Sequence, residues 1–195
     1  MTGKIITIEG IDKAGKSTQS IMLRSELLNR GIKCQLMDFP NYTNKTGVLI
    51  YNMLDDGSFK KSHEMFHMLM SANRWEDVEN INWFLEDNNV IIMDRYWQSN
   101  LVYGTCNNMS PAWLKMLDQG LPPEVLTIVI DIEPKISFDR ATDRDSLEAN
   151  SKLLTEARSL YKDYGLAYGW KTVNGDRPKK EVAKDIINHV EAVLV

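Results

Sequence analysis

Short apolar runs alternate along the chain with longer stretches in which apolar residues recur every three or four positions. This is the pattern of a parallel sheet covered by helices. The first run, Ile5 to Glu9, predicts a buried strand. A Gly-rich turn follows, then a helix from about Lys16 to Asn29, closed by Gly31. Cys34 to Phe39 reads as a second strand ended by Pro40, and Ser62 to Glu86 carries a helical period with Phe66, Leu69, Met70, Asn73 and Val78 near one side. Val90 to Asp94 reads as a buried strand with a carboxylate at its C-terminal end, and Leu126 to Ile132 as another. Thr142 to Asn150 is polar and charged. Beyond it the pattern predicts a helix over Ser151 to Tyr164, a short strand near Trp170 to Val173 and a last helix over Lys179 to Val193. About five strands with helices between them make an α/β chain, and no internal repeat divides it.

Composition narrows the classes. The chain has 195 residues, 43% hydrophobic and 26% charged, which suits one sizeable core and excludes general disorder. A formal charge of -4 argues against a broad grip on nucleic acid, so an anionic ligand needs a local positive cluster. Two cysteines, Cys34 and Cys106, are too few for a disulfide scaffold and read as reduced thiols. No stretch reads as a membrane span. The chain enters its first strand at Lys4-Ile5-Ile6-Thr7-Ile8 with no cleavable apolar leader, so a cytoplasmic location is expected.

Gly10-Ile11-Asp12-Lys13-Ala14-Gly15-Lys16-Ser17 fits G-x-x-x-x-G-K-[ST] at every fixed position, with an apolar strand before it and a helix after it. Glycines let successive N–H groups turn inward around phosphate oxygens, and the helix N-terminus adds its dipole. Lys16 supplies a point charge to the outer phosphates, and Ser17 offers a hydroxyl to Mg²⁺. A nucleoside triphosphate with Mg²⁺ is the first inference; the plain alternative is a Gly-rich turn with no ligand. GTPase, ATPase and small-molecule kinase all use this loop. Asn44-Lys45-Thr46-Gly47 breaks the guanine-reading N-K-x-D pattern at its Asp. A kinase for small nucleotides needs a second anion site. Asp38-Phe39-Pro40-Asn41-Tyr42, Ala72-Asn73-Arg74-Trp75-Glu76 and Asp94-Arg95-Tyr96 supply candidates, because strand C-termini of a parallel sheet share one edge with the phosphate loop.

With these residues the sequence resembles the thymidylate kinase family. The resemblance is carried by Glu9-Gly10-x-Asp12, Lys16-Ser17-Thr18-Gln19, Phe39-Pro40, Ser71 to Glu76, Asp94-Arg95-Tyr96 followed by Ser99, Asn100 and Tyr103, Gly120-Leu121-Pro122, and Asn174 to Pro178. It spans nearly the whole chain. It implies a three-layer α/β/α P-loop NTPase fold, a single domain over residues 1–195 with a lid at about 140–150, and ATP-dependent phosphorylation of dTMP to dTDP.

The resemblance also implies roles. Gly10 to Ser17, Thr18 and Arg140 line ATP, with Arg140 packing on adenine. Arg95 clamps the acceptor phosphate, for which a planar guanidinium fork is suited; its plain alternative is a salt bridge at a strand end. Asp12 holds the sugar 3′-hydroxyl and orders the loop. Arg74 reads the thymine carbonyl, against the alternative of a helix-surface ion pair with Asp77 or Glu76. Phe39 and Pro40 wall the deoxyribose, and Tyr42 matches a branch that has tyrosine beside the acceptor phosphate. Ser99 and Asn100 lie near the same pocket. Tyr103 fills the space a ribose 2′-hydroxyl would need. Asp94 positions Mg²⁺ or orders Arg95. Lys13 in the loop and Arg144 in the lid are the cations expected at the transferred phosphoryl group.

The pattern departs from the family where a Phe usually stacks on thymine; here stands Met70, which contacts a base through sulfur but cannot stack as a plane. This keeps kinases for dUMP or dGMP open as alternatives. In the lid, Asp145-Ser146-Leu147-Glu148 replaces an Arg that often follows the Asp. His63-Glu64-Met65-Phe66-His67 fits the zinc-peptidase pattern H-E-x-x-H, with Glu86 a conceivable third ligand; the plain alternative is two half-exposed histidines on an amphipathic helix. A nucleotide-binding regulator without turnover is the remaining reading, opposed by the set Lys16, Ser17, Arg95 and Arg74. The family implies a homodimer, for which Met65 to Leu69 and Leu101-Val102 are candidate runs, set against ordinary core packing.

Overall fold

The computed structural model describes residues 3–86, 89–140 and 147–194. Five strands form one parallel sheet: β1 (Lys4–Glu9), β2 (Cys34–Asp38), β3 (Val90–Asp94), β4 (Leu126–Asp131) and β5 (Lys171–Asn174), in the order β2-β3-β1-β4-β5. The register aligns Ile8 with Asp94 and Ile128 with Ile8, so the ends of β1, β3 and β4 lie level at one edge. The helices are α1 (Lys16–Asn29), α2 (Lys45–Asp55), α3 (His63–Glu76), α4 (Val78–Glu86), α5 (Trp97–Cys106), α6 (Pro111–Leu117), α7 (Pro134–Arg140), α8 (Leu147–Tyr168) and α9 (Lys179–Leu194).

Alternation along the strands divides the core in two. Ile6, Ile8, Ile92, Ile128 and Ile130 pack with Leu23 and Leu27 of α1 and with Ile186 and Val190 of α9 on one face. Ile5, Ile91 and Met93 pack with Phe39, Ile81 and Tyr96 on the other. A sheet buried on both faces is why its strands read as near-continuous apolar runs. The central strand β1 neighbours β3 on one side and β4 on the other, and chain connections leave it in opposite directions. That is the crevice where open parallel sheets bind ligands.

Helix α1 matches the expected span. It ends in a Schellman motif, with Gly31 at φ 75° and Ile32 N donating to Leu27 O at 2.9 Å. The single helix expected over Ser62 to Glu86 is two. Asp77 interrupts it, because its carboxylate accepts from Asn41 Nδ2 at 2.7 Å and from Asn80 Nδ2 at 3.3 Å. Helix α2 was not expected: its apolar residues run consecutively from Val48 to Tyr51 rather than at helical spacing. Leu101 and Val102 are fully buried, so that run belongs to the core and not to a surface for association.

Candidate active site

The phosphate loop leaves β1 at its C-terminal end. Gly10 has φ 139°, and a Cβ there would lie 2.5 Å from Ile130 O, so only glycine lets the loop cross β4 this closely. Lys13 and Gly15 are also left-handed, at φ 57° and 101°, and Gly15 opens the N-terminus of α1. The loop presents backbone amides around a point where the helix dipole favours an anion.

Lys16 Nζ is buried and donates to Ile11 O at 2.9 Å. Burial, with the positive charge of Arg95 beside it, lowers its pKa from 10.5 to about 7. Ser17 Oγ donates to Asp94 Oδ2 at 2.5 Å, joining the first turn of α1 to the end of β3. This pair offers hard oxygen donors beside the phosphate loop, the chemistry Mg²⁺ takes. Among the described residues no group of three or more His, Cys, Asp or Glu forms a metal cluster. A small protein contribution to the coordination suits an ion carried largely by nucleotide phosphates and water.

Arg95 projects from the end of β3 to the same place. Its Nη1 donates to Ser99 Oγ at 2.9 Å and to Gly10 O at 3.3 Å, its Nη2 pairs with Asp12 Oδ1, and its guanidinium lies 5.6 Å from the centre of the Tyr103 ring. Desolvation works against the Asp12 carboxylate, and the charges of Arg95, Lys16 and Lys13 outweigh it, so its pKa is held below the usual range. Ser137 Oγ, from α7, donates to Asp12 O at 2.7 Å and braces the loop from the far side. Arg140 Nη1 donates to Lys13 O at 3.2 Å and its Nη2 to Gly175 O at 3.3 Å, bridging the loop and the turn after β5. The loop, Arg95 and Arg140 open onto a cavity of ≈ 980 Å³ whose walls include Lys16, Ser17, Phe39, Tyr42, Arg95 and Arg140.

Residues 8–186 match the model of the family described as thymidylate kinase. The chain belongs to the thymidylate kinase family. It is 30% identical over 200 residues to the thymidylate kinase of Schizosaccharomyces pombe, covering 99% of this chain and 94% of that one. It is 32% identical over 189 residues to the human thymidylate kinase, covering 94% and 88%. A solved thymidylate kinase from Candida albicans, described as having broad substrate specificity, superposes with a TM-score of 0.84 at 26% identity, covering 98% of this chain and 92% of the other. Its members are phosphotransferases, and the α/β architecture with a P-loop is theirs.

The residues expected from thymidylate kinases fall into three groups. Asp12 to Thr18, Phe39, Pro40, Tyr42, Asp94, Arg95 and Arg140 all line the cavity. Arg144 falls outside the described residues, as does most of the lid, and Gly10 and Ile11, within the loop, are not among the cavity walls. Met70, Arg74, Ser99, Asn100 and Tyr103 do not line the cavity. Arg74 is 1% exposed and bound at two points by Asp118, Nε to Oδ1 at 3.0 Å and Nη2 to Oδ2 at 2.8 Å. The expected partners Asp77 and Glu76 serve elsewhere. Glu76 accepts from Lys45 N and Thr46 N at the start of α2, and Asp77 from Asn41.

His67 is buried, not half exposed. Its Nδ1 donates to Asn100 Oδ1 at 2.6 Å and its Nε2 accepts from Asn107 Nδ2 at 3.3 Å. Burial lowers its pKa, and the neutral ring satisfies both partners. Both ring nitrogens of His67 are thus engaged, and Glu86 stands on a separate helix, α4. The H-E-x-x-H match is packing.

Sequence reasoning gave no role to several residues of the site. Glu9 is fully buried, an acid closing the Ile5 to Ile8 run of β1, and that is its signal in the sequence. Arg177 lines the cavity from the Asn174 to Pro178 motif. Asp118 and Tyr161 carried no local signal, because their partners are distant in sequence.

Proposed function

We propose that this chain transfers the γ-phosphoryl group of ATP to dTMP, giving dTDP, by direct in-line displacement. The observation that carries the reading is that the phosphate loop and Arg95 open onto one cavity, so two phosphate groups can meet in one enclosure. Phosphoryl transfer needs alignment and positive charge rather than covalent chemistry from the protein. Lys16 and the loop amides hold the donor phosphates. Arg95 holds the acceptor phosphate, exchanging its Asp12 contact for phosphate oxygens, and Asp12 then faces the sugar 3′-hydroxyl. Ser17 and Asp94 would hold Mg²⁺, which when bound neutralises charge on the donor phosphates. Phe39, Pro40 and Tyr42 wall the acceptor sugar, and Arg140 supports the adenine. By the family resemblance Lys13 and Arg144 would supply positive charge at the transferred group, Arg144 lying outside the described residues. Tyr103, packed under Arg95, limits the acceptor to a deoxyribose. By the family resemblance Met70, Arg74 and Asn100 belong to the base end of the acceptor site; they lie outside the cavity walls, and the guanidinium of Arg74 is taken up by Asp118.

The chain acts as one domain over residues 1–195, in the cytoplasm, where its free Cys34 and Cys106 stay reduced. A second copy is its protein partner, through the exposed apolar side chains Val48, Leu49 and Tyr51 of α2 and Met65 and Met68 of α3. Neither nucleic acid nor a membrane is a partner, in keeping with the formal charge of -4. The test is ADP release from MgATP against dTMP, dUMP, dGMP, dCMP, UMP and the ribose form of TMP. Strong turnover of dTMP with little of the ribose form is expected. Preference for another monophosphate overturns the acceptor assignment, and no turnover with any acceptor overturns the kinase.

A further inference from the structure

Arg95 is held from two directions by a carboxylate that no step above uses. Its backbone sits at φ 67°, a torsion that a non-glycine residue keeps only where its surroundings enforce it. Arg95 N donates to Ile8 O at 3.1 Å, and the next amide, Tyr96 N, donates to Glu9 Oε1 at 2.8 Å. Glu9 Oε2 accepts from Ser99 Oγ at 2.6 Å and from Tyr161 OH at 2.8 Å. Ser99 Oγ in turn accepts from Arg95 Nη1 at 2.9 Å. Glu9 is 0% and Tyr161 1% exposed, so water does not complete this set.

Proton counting sets the direction of these bonds. A carboxylate only accepts, and each hydroxyl has one proton. Glu9 takes the protons of Ser99 and Tyr161, which leaves Ser99 Oγ with lone pairs alone to face the guanidinium. A neutral amide cannot replace the carboxylate. With its NH₂ in the place of Oε2, it donates where it should accept, so the protons of Ser99 Oγ and Tyr161 OH, 3.0 Å apart, must be re-sorted beside Arg95. With its NH₂ in the place of Oε1, it meets the Tyr96 N–H, donor against donor. Tyr161 arrives on α8, which Arg158 fixes to Asp131 at the end of β4 through bonds of 2.6 and 2.9 Å.

We propose that Glu9 and Tyr161 are positioning residues for the acceptor-phosphate clamp, acting through Ser99 on the Arg95 guanidinium. The proposal rests on the reading of Arg95 as the group that holds the acceptor phosphate. It predicts that disturbing the network harms recognition of the phosphate and spares recognition of the nucleoside. The test compares binding of dTMP and of thymidine, which lacks the phosphate, by titration calorimetry on the wild type, E9Q and Y161F. Loss of the carboxylate's charge-assisted bonds predicts a roughly tenfold loss of dTMP affinity in E9Q, and loss of the single Tyr161 bond to Glu9, passed on through Ser99, about threefold in Y161F. Thymidine affinity and the KM for ATP stay unchanged in both. Y161F removes a single hydroxyl and decides the matter if E9Q does not fold. Unchanged dTMP affinity in Y161F, or equal losses for dTMP and thymidine in either variant, overturns the proposal. A wild type that binds dTMP and thymidine equally overturns the assignment of Arg95 instead.

Discussion

Lys16 has released its proton in the folded chain above about pH 7, whereas the unfolded chain keeps it up to its ordinary 10.5. Two consequences follow from linkage. The unfolded state binds more protons in that window, so the stability of the free protein gains from this group as pH rises from about 7 to 10.5. A phosphate at the loop restores the ammonium. Binding of ATP at pH 8 is therefore expected to take up a proton, measured as a buffer-dependent heat in titration calorimetry, and to weaken as pH rises above about 7. Away from the cavity, Arg74 and Asp118 form a buried pair. Asp118→Ala leaves that guanidinium uncompensated and removes one of the two acceptors of Ser71 Oγ, so a loss of about 3–5 kcal/mol is expected in urea unfolding. Met70→Phe restores a planar ring near the base and is expected to lower the KM for dTMP in steady-state assays. Residue types and spacing were enough to nominate Arg74 and Ser99. Their partners Asp118 and Glu9 lie 44 and 90 positions away and come together only when the chain folds.

At the scale of elements, the stretch Ser71 to Glu76 organises the loop after β2. Asn73 Oδ1 accepts from Asn41 N at 2.7 Å, and its Nδ2 donates to Asn41 O at 3.0 Å and to Asn44 Oδ1 at 2.7 Å. Glu76 caps the start of α2 from the neighbouring helix. Gly47 belongs to the same construction, because a Cβ there would lie 1.8 Å from Asn41 O. This explains why the position that spoils the guanine-reading pattern is glycine. Asn73→Ala strips a buried loop of several partners and is expected to cost about 2–3 kcal/mol. It should also raise the KM for dTMP more than that for ATP, since the loop carries Phe39 to Tyr42 toward the cavity. Strands were legible because burial on both faces writes continuous apolar runs. Helix α2 was not, because its apolar residues run consecutively, and the break at Asp77 was not, because it depends on Asn41 of a distant loop.

For the whole molecule, one sheet with two continuous cores should melt as one unit. A single calorimetric transition is expected, raised by about 2.7 kcal/mol when dTMP or ATP is present at 100 times its Kd. Two separated transitions would refute the single domain. The exposed apolar residues shared by α2 and α3 predict a dimer in sedimentation experiments, and a Met65→Glu, Met68→Glu variant is expected to sediment as a monomer with its fold intact. The sequence by itself determined the sheet, its faces and the phosphate loop, since strand burial, the Gly10 to Ser17 spacing and the helix that follows are local properties of the chain. It also determined the family, through motifs in a fixed order. Only the tertiary structure decided what those motif residues touch. Whether Arg74 meets Asp77 or Asp118, whether His67 is free to bind a metal, and what holds Arg95 are outcomes of burial. A polar group taken out of water must find a partner, and the partner is whichever group the packing of distant elements brings within hydrogen-bond reach.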